Sequence, residues 1–469
     1  MSLRLTWWLL IFSIVAEAQL TGTFSATGSM ITPRYAHTAT LLLDGTVLIA
    51  GGVPQDGTDT ILFSSAELYN PATGIFKAKG NMTTGRAQHS AAMLADGRVF
   101  IAGGTGVRGT ETYDPTTGTF ASTGDMISQP YPAASAILLQ DGRVFIAAYP
   151  AAQIYDPRSG TFSAAGAYAG PAPAFLGSST LLADGRILLT GAINICYEPL
   201  CADPGSGWAE LYDPATNTFS LAGDMQWWNN RYIAKLLTNG KVLFAGNHSN
   251  DGAPAAVQVF DPGDRTFTSI GNASASHFDS AAATLLPDGT VLISGGQLPG
   301  VSGQTVVDRY SPASGAFTST GSTVTPRMSH TTTLLPDGTV LAAGGYIGPS
   351  ATSSAELYRP AALTPAPRLF PGAIWHATTG MPVSSEVPAV AGEILSMYTT
   401  TLIDGGVIPP GVVVGGRLAQ VLYFGPAPGY PGYNQVNFVQ PQGAASGSAV
   451  PVRLTYLDRS SNQVTINVQ

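Results

Sequence analysis

The sequence has few charged residues. Asp, Glu, Lys and Arg make up 11% of the 469 residues, the formal net charge is −8, and lysine occurs only at Lys77, Lys79, Lys235 and Lys241. Proteins that bind nucleic acids need a basic patch or stripe that neutralises backbone phosphates. The composition therefore argues against nucleic acid as a partner.

Long apolar runs are also missing, except at the N-terminus. Residues 1–18 combine Arg4, an apolar core from Leu5 to Val15 and a small-x-small motif at Ala16-Glu17-Ala18. The core is too short to cross a bilayer, and the pattern is that of a secretory signal peptide. We expect cleavage near Ala18, no membrane span, and a secreted monomer that is extracellular or periplasmic.

Cysteine is nearly absent. The two residues, Cys196 and Cys201, lie in one short segment. In an exported protein such a pair predicts a local disulfide that fixes the shape of one loop. A zinc site would need further ligands nearby, and the neighbouring sequence supplies none.

Common catalytic motifs are missing as well. No serine elbow is present, and no glycine-rich loop leads from a strand into a helix. The sequence therefore gives no reason to expect serine hydrolysis, nucleotide use or a bound cofactor.

What the sequence does contain is a unit repeated seven times. Two apolar runs flank a turn in every copy, and the turns follow one another at intervals of 43 to 55 residues, at Asp44-Gly45, Asp96-Gly97, Asp141-Gly142, Asp184-Gly185, Asn239-Gly240, Asp288-Gly289 and Asp337-Gly338. Two β-runs joined in this way predict a hairpin with a type I′ turn. The interval is typical of a propeller blade.

The second half of each unit predicts another hairpin. An aromatic residue precedes an Asx-Pro or related corner, as in Tyr113-Asp114-Pro115, and a strand with a Phe follows in six repeats. The seventh corner, Tyr358-Arg359-Pro360, has no such strand, whereas Thr21-Gly22-Thr23-Phe24 stands alone before repeat 1. We expect this N-terminal strand to complete repeat 7 and close the ring, which leaves no long exposed sheet edge.

These motifs resemble kelch repeats of the galactose-oxidase-like bacterial type. The fullest matches are Arg34…His37 with Gly51-Gly52, Arg86…His89 with Gly103-Gly104, and Arg327…His330 with Gly344-Gly345. Beyond the repeats, alternating segments such as Val450 to Tyr456 are similar to an immunoglobulin-like domain found at the C-terminus of exported soil-bacterial proteins. The resemblance implies an all-β fold but assigns no activity, because one fold supports many functions.

The predicted chain therefore has four parts. A signal peptide at 1–18 precedes a seven-bladed kelch-type β-propeller at 19–362 that is closed by its N-terminal strand. A proline-rich linker at 363–386 then leads to a small immunoglobulin-like β-sandwich at 387–469.

The first candidate site is formed by the repeated histidines. His37, His89 and His330 belong to repeats 1, 2 and 7, which become neighbours when the ring closes, and three converging histidines could bind a metal. The alternative is that each repeated His and Arg bonds to the backbone of the neighbouring repeat. We favour this alternative and predict no metal.

The second candidate site lies in repeats 3 to 6, which have lost the Arg-x-x-His motif. Aromatic rings with amides and an arginine can stack on a sugar or grip a protein, but tryptophans can also fill space between repeats. The candidate binding residues are Trp227, Trp228, Asn229, Asn230, Arg231, Tyr131, His248, His277 and Asp279.

The sequence favours binding over catalysis. Galactose-oxidase-like copper-radical chemistry implies a Cys beside a Tyr, a Tyr-His pair and a histidine from the C-terminal domain, but this sequence has no Tyr-His dipeptide and His376 is the only histidine after the repeats. We predict a non-enzymatic module that binds an extracellular glycan or protein on the propeller face. The alternative is a metal-dependent, copper-radical oxidase-like or other propeller enzyme that acts on extracellular carbohydrate.

Overall fold

Antiparallel sheets make up the ordered structure of the chain. The computed structural model describes residues 22–54, 61–128, 135–148, 150–170, 175–192, 207–225, 232–246, 256–273, 280–297, 303–403 and 405–469, and no helix occurs in these ranges. Consequently, no described helix is long and apolar enough to cross a membrane.

The first three repeats each form one four-stranded sheet. The chain begins with β1 (Thr23–Ala26), and the three sheets then comprise β2 (Thr38–Leu41), β3 (Val47–Ala50), β4 (Ala66–Asn70) and β5 (Ile75–Lys79); β6 (Ser90–Met93), β7 (Val99–Ala102), β8 (Gly109–Asp114) and β9 (Thr119–Asp125); and β10 (Ser135–Leu138), β11 (Val144–Ala147), β12 (Gln153–Asp156) and β13 (Thr161–Ala164).

The next three repeats have the same topology. Their sheets comprise β14 (Phe175–Leu181), β15 (Ile187–Ala192), β16 (Gly207–Asp213) and β17 (Thr218–Leu221); β18 (Ile233–Leu236), β19 (Val242–Ala245), β20 (Ala256–Asp261) and β21 (Thr266–Asn272); and β22 (Ala282–Leu285), β23 (Val291–Ser294), β24 (Val307–Ser311) and β25 (Ala316–Ser319).

Repeat 7 takes its fourth strand from the other end of the chain. It contains β26 (Thr331–Leu334), β27 (Val340–Ala343), a small hairpin of β28 (Tyr346–Ile347) and β29 (Ser350–Ala351), and β30 (Ala355–Arg359). β1 pairs antiparallel with β30, and Phe24 lies opposite Tyr358. The predicted pairing of the N-terminal strand with repeat 7 is confirmed.

The sheets are arranged around a common centre. The first strand of each repeat contacts the first strand of the next repeat, and β26 contacts β2. The second strands, such as β3 and β7, are buried along their whole length. Apolar residues occupy every position of β3 and β7 because both faces of each sheet pack against neighbouring sheets. This all-β arrangement of four-stranded antiparallel sheets fits a β-propeller.

The Asp-Gly turns differ from the predicted type I′ geometry. Gly45 has φ 84°, but Asp44 is not among the residues with positive φ. The Gly45 N–H donates to the Leu42 carbonyl at 3.0 Å, and the Asp44 carboxylate accepts the Thr46 N–H at 2.9 Å. This is a type I turn followed by a left-handed glycine. The carboxylate cap makes a second left-handed residue unnecessary.

The tyrosine corners supply a repeated ring contact. Tyr69 lies 4.8 Å from Phe76 between ring centroids, and Tyr113 lies 4.9 Å from Phe120. In repeat 7 the partner of Tyr358 is Phe24, at 5.0 Å. The N-terminal strand therefore restores the aromatic pair that the seventh corner lacks in its own sequence.

The C-terminal region forms two sheets over one apolar core. One sheet has the order β31-β32-β36-β35 and the other β34-β33-β37-β38, with β39 paired to β37. The strands are β31 (Leu369–His376), β32 (Ile394–Thr399), β33 (Gly411–Val414), β34 (Arg417–Ala419), β35 (Val421–Pro426), β36 (Asn434–Val439), β37 (Gly447–Tyr456), β38 (Arg459–Ser460) and β39 (Val464–Val468).

The predicted linker at 363–386 contains a strand of this region. β31 pairs with β32, and its register shifts between Leu369 and Ile374. Pro371 lies within this irregular stretch, and β31 is the edge strand of its sheet, where proline is tolerated because no ladder hydrogen bond is lost. The C-terminal sheets therefore begin before residue 387, and proline content alone misidentified an edge strand as a linker.

The closing strand gives a test of the ring. Phe24→Ala should lower the free energy of unfolding by about 2 kcal/mol, because a half-buried ring that packs on Tyr358 is removed. Ser25→Ala is the matched control, since Ser25 is exposed on the other face of the same strand. Thermal and urea unfolding measure both variants. Equal stability of the two would contradict closure by this strand.

Candidate functional site

The ring of repeats has two faces, and the C-terminal sheets cover one of them. The Val407 N–H donates to the Thr238 carbonyl, beside the Asn239-Gly240 turn, at 3.0 Å. Leu457 packs against apolar clusters of repeats 5 to 7. The face that carries the Asp-Gly turns is therefore an interface with the C-terminal region.

A channel of about 900 Å³ lies between the first strands and this C-terminal cover. Its walls are mainly small, apolar or hydroxyl side chains, including Ala39, Ala91 and Thr332. From the C-terminal side, residues 407–411 contribute Val, Ile, two Pro and Gly. No group of three His, Cys, Asp or Glu side chains that could bind a metal occurs within the described ranges.

A buried acid on the third strand of several repeats binds the incoming loop. Glu67 accepts the Ile31 and Thr32 N–H groups at 2.7 and 3.0 Å. In repeat 4, Glu210 accepts the Ala169 and Gly170 N–H groups at 2.9 and 2.7 Å. Equivalent pairs of bonds reach Glu111 and Glu356, and Gln153 accepts one such bond in repeat 3.

In repeats 1, 2 and 7 the same acid also binds the motif arginine. The guanidinium–carboxylate distances are 2.9 Å for Arg34–Glu67, 2.5 Å for Arg86–Glu111 and 2.5 Å for Arg327–Glu356. All three arginines are fully buried, and burial lowers the pKa of each guanidinium although the glutamate partly opposes this shift. These arginines hold the scaffold and present no exposed surface to a ligand.

The three motif histidines join neighbouring repeats. His37 Nε2 hydrogen bonds with the Thr331 hydroxyl at 3.0 Å, His89 Nε2 with Thr38 at 3.0 Å and His330 Nε2 with Ser294 at 2.9 Å. In each case the partner is a side-chain hydroxyl rather than the backbone that the sequence suggested.

Each of these imidazoles also packs on a glycine of the preceding repeat. A Cβ placed on Gly51 would lie 2.7 Å from the His89 ring, and one on Gly344 would lie 2.8 Å from the His37 ring. Both glycines have positive φ, so two independent constraints require glycine. Sequence reasoning missed this coupling, although the signal was present: a Gly-Gly pair precedes every repeat that keeps the histidine.

Repeat 5 preserves this contact with a different residue. Tyr232 occupies the histidine position, and its hydroxyl donates to the Thr190 hydroxyl of repeat 4 at 2.6 Å. Burial raises the pKa of the Tyr232 phenol, so the group stays protonated as a donor. The divergent repeats thus conserve a side-chain link across one boundary although they have lost the motif.

The loop face of repeats 7, 1 and 2 is filled by the chain's own side chains. Tyr35, Val53, Ala87, Met328 and Tyr346 form one buried cluster, and the Tyr35 and Tyr346 rings are 4.6 Å apart. We call this group the regular-sector cluster. The regular-sector cluster and the buried Arg–Glu pairs together fill the loop face of repeats 7, 1 and 2.

The predicted ligand-binding residues lie outside the described residues, and so do both cysteines of the predicted disulfide. This applies to Trp227, Trp228, Asn229, Asn230, Arg231, Tyr131, His248, His277 and Asp279, and to Cys196 and Cys201. The described strands that flank them follow one rule: each segment joins a fourth strand to the next first strand, or a second strand to a third. In antiparallel sheets, the strand ends that flank these segments lie on the face opposite the Asp-Gly turns.

Comparison with known proteins identifies the architecture. No family model matches the sequence, and no curated protein matches it. A solved structure of a fungal alcohol oxidase of the AA5 family, in complex with copper, matches with a TM-score of 0.59 over 96% of this chain and 100% of the oxidase chain, at 16% identity. The chain has a galactose-oxidase-like β-propeller fold. At this identity the likeness shows the fold alone.

The described residues do not fit the copper ligand set that this resemblance implies. His376, the only histidine after the repeats, hydrogen bonds through Nδ1 with Glu393 at 2.8 Å and through Nε2 with the Val387 carbonyl at 3.0 Å, within the C-terminal region. Neither ring nitrogen is available to the channel. The motif histidines use Nε2 for bonds between repeats, and they form no group of three metal-binding side chains within the described ranges.

The buried arginine pair makes a stability prediction. Arg86→Ala should lower the free energy of unfolding by about 3–5 kcal/mol, because the Glu111 carboxylate would remain buried without its cation. Arg98→Ala is the control, since its ion pair with Asp96 is exposed and should be worth about 1 kcal/mol or less. Urea unfolding compares the two. Similar small losses would show that the buried pair does not support the scaffold.

The buried histidines predict acid sensitivity. Burial, with a smaller effect of the nearby arginine, lowers the pKa of His37 and of His89 to about 3. Below pH 6.5 the unfolded chain therefore binds protons that the folded chain does not, and stability should fall as pH decreases. Each such histidine should lower the free energy of unfolding at pH 5 by about 2 kcal/mol.

Histidine substitutions measure this contribution. His89→Gln should flatten the decrease of melting temperature between pH 7 and pH 5. His376→Gln is the control: burial lowers the pKa of His376, but the bonds to Glu393 and Val387 outweigh it and the net shift is upward. Its stabilisation is present at low pH and is lost as pH rises through the folded pKa, so its substitution should steepen the acid decrease slightly and cannot flatten it. An unchanged acid slope in His89→Gln would contradict the prediction.

Proposed function

We propose that this chain is an exported, seven-bladed propeller with a C-terminal immunoglobulin-like sandwich, and that it binds an extracellular glycan or protein on the loop face of repeats 3 to 6. The proposed parts are a cleaved signal peptide at 1–18, a propeller at 19–362 and a sandwich that includes β31. Binding, rather than catalysis, is its function.

One observation carries this proposal. Among the described residues, the Asp-Gly face is covered by the C-terminal sheets, and the loop face of repeats 7, 1 and 2 is filled by buried Arg–Glu pairs and the regular-sector cluster. The described strands of repeats 3 to 6 that flank the remaining connections end on the other sector of this face. Their sequence contains Trp227, Trp228 and Arg231, residue types that anchor binding interfaces.

The chemistry of this sector favours a sugar or a protein surface. Tryptophan rings offer large apolar faces at small entropic cost, and the adjacent Asn229 and Asn230 amides can bond hydroxyl or backbone groups. The low charge of the chain gives no reason to expect a strongly ionic ligand. Tyr131, His248, His277 and Asp279 would surround the anchors.

A screen followed by one substitution tests the proposal. Mature protein is screened against a glycan array, and Trp228→Ala is then measured against the best ligand, with an expected loss of about thirtyfold at unchanged melting temperature. Trp208→Ala is the matched control, because Trp208 is buried and its Nε1–H donates to Glu210. It should lower stability instead. Unchanged affinity in Trp228→Ala would overturn this site.

A second candidate function is oxidation of an extracellular alcohol or sugar. It is favoured by the match of nearly the whole chain to a copper-containing alcohol oxidase. Copper loading of the mature protein, metal analysis and a peroxide assay distinguish the two. We expect no stoichiometric copper. One copper per chain that is lost in His248→Ala or His277→Ala, but kept in His376→Gln, would replace binding by oxidation as the function.

A further inference from the structure

The C-terminal sheet β31-β32-β36-β35 has an outer face that the core does not use. Alternate residues point inward, where Ile374, Met397 and Val436 join the apolar core. Trp375 and Tyr398 belong to the opposite set and are only half-buried. Trp375 of β31 and Tyr398 of β32 therefore place aromatic rings on the outward face, where an antiparallel sheet exposed to water usually carries polar side chains.

Three aromatic rings on this face follow one another. The centroids of Trp375 and Tyr398 are 5.1 Å apart, and those of Tyr398 and Tyr430 are 5.2 Å apart. Tyr430, from the loop between β35 and β36, is 56% exposed. The rings are tilted by 58° and 46° relative to each other, so they form a twisted row rather than a flat surface.

Neutral polar groups lie beside the rings. Ser396 is the register partner of both Trp375 and Asn437, and Gln435 is the partner of Tyr398. The Gln435 amide donates to the Ser396 hydroxyl at 3.1 Å and to the Asn437 carbonyl oxygen at 2.9 Å. These bonds hold the amides in fixed positions next to the aromatic row.

We propose that this face binds a single chain of a neutral polysaccharide. The apolar faces of sugar rings can stack on Trp375, Tyr398 and Tyr430, and sugar hydroxyls can bond the Gln435 and Asn437 amides. The ring row and its polar neighbours carry no charge, which matches an uncharged ligand and disfavours an anionic glycan. The twist of the row fits one polysaccharide strand rather than a flat crystalline surface.

The site is separate from the one proposed on the propeller. It uses only described residues of the C-terminal region, and it does not depend on Trp228 or on any loop of repeats 3 to 6. The two sites can therefore fail independently, and variants at each distinguish them.

Affinity electrophoresis of the full mature chain tests the site. Native gels contain hydroxyethylcellulose, glucomannan, soluble starch or, as the anionic probe, polygalacturonate. At least one neutral polymer should retard the protein, and Trp375→Ala and Tyr398→Ala should each weaken that retardation at least about tenfold. Trp375→Phe should retain most of it, because an aromatic face remains.

Two further variants control for folding and for unspecific adsorption. Tyr430→Ala removes a largely exposed ring and should weaken retardation without changing the melting temperature, so a folding defect in Trp375→Ala cannot obscure the result. Ile75→Ala removes a side chain of repeat 1 that is 51% exposed and should have no effect. The proposal is wrong if only polygalacturonate retards the protein, if no polymer does, or if Trp228→Ala alone abolishes retardation.

Discussion

In repeats 1, 2, 3, 4 and 7, a buried polar side chain binds backbone N–H groups of the loop that enters the repeat. A loop of this kind leaves N–H groups without strand partners, and burying them unbonded would cost free energy. A carboxylate such as Glu111 or Glu210 solves this problem because it accepts two N–H groups at once. In these repeats the position and orientation of the entering loop therefore follow from one side chain on the third strand.

The buried acid places a negative charge in the interior, and the repeats compensate for this charge in different ways. Repeats 1, 2 and 7 compensate its charge with a buried arginine, which then bonds to backbone carbonyls of its own repeat. In repeat 4 the Trp208 Nε1–H supplies a further bond to Glu210 at 3.2 Å. Repeat 3 replaces the acid by Gln153, which needs no cation. The arginine motif is thus a local answer to burying a charge.

This division has a functional consequence. A sector whose polar residues compensate buried charge can change little without losing stability, since breaking a buried pair is costly. Repeats 3 and 4 hold the entering loop without a buried Arg–Glu pair and lack that constraint, and loops are where sequences commonly vary toward a ligand.

Much of the fold was predictable from sequence because the repeats sample the same pattern many times. The hairpins, the aromatic corners and the pairing of Phe24 with Tyr358 all follow from residue types at fixed intervals. The turn type was not predictable, because the Asp44 side chain caps the turn and removes the need for a second positive φ. β31 was missed because proline in an edge strand looks like linker sequence.

The candidate sites were less predictable than the fold. The histidine partners are hydroxyls such as Thr331, almost 300 residues away in sequence, and only the closed ring brings the two together. The aromatic row of Trp375, Tyr398 and Tyr430 combines two strands and a loop, so spacing along the chain gives no sign of it. Both the histidine bonds and the aromatic row depend on contacts between segments that are far apart in the sequence.

The most direct test of where the ligand binds on the ring is hydrogen exchange measured by mass spectrometry. It is measured with and without the best oligosaccharide from the glycan screen. Binding on the loop face of repeats 3 to 6 should slow exchange in peptides that cover residues 226–231, 247–255 and 274–279. Exchange in peptides that cover residues 83–89 and 324–330 should not change. Slower exchange only at residues 83–89 and 324–330 would place the ligand on repeats 7, 1 and 2 and contradict the account.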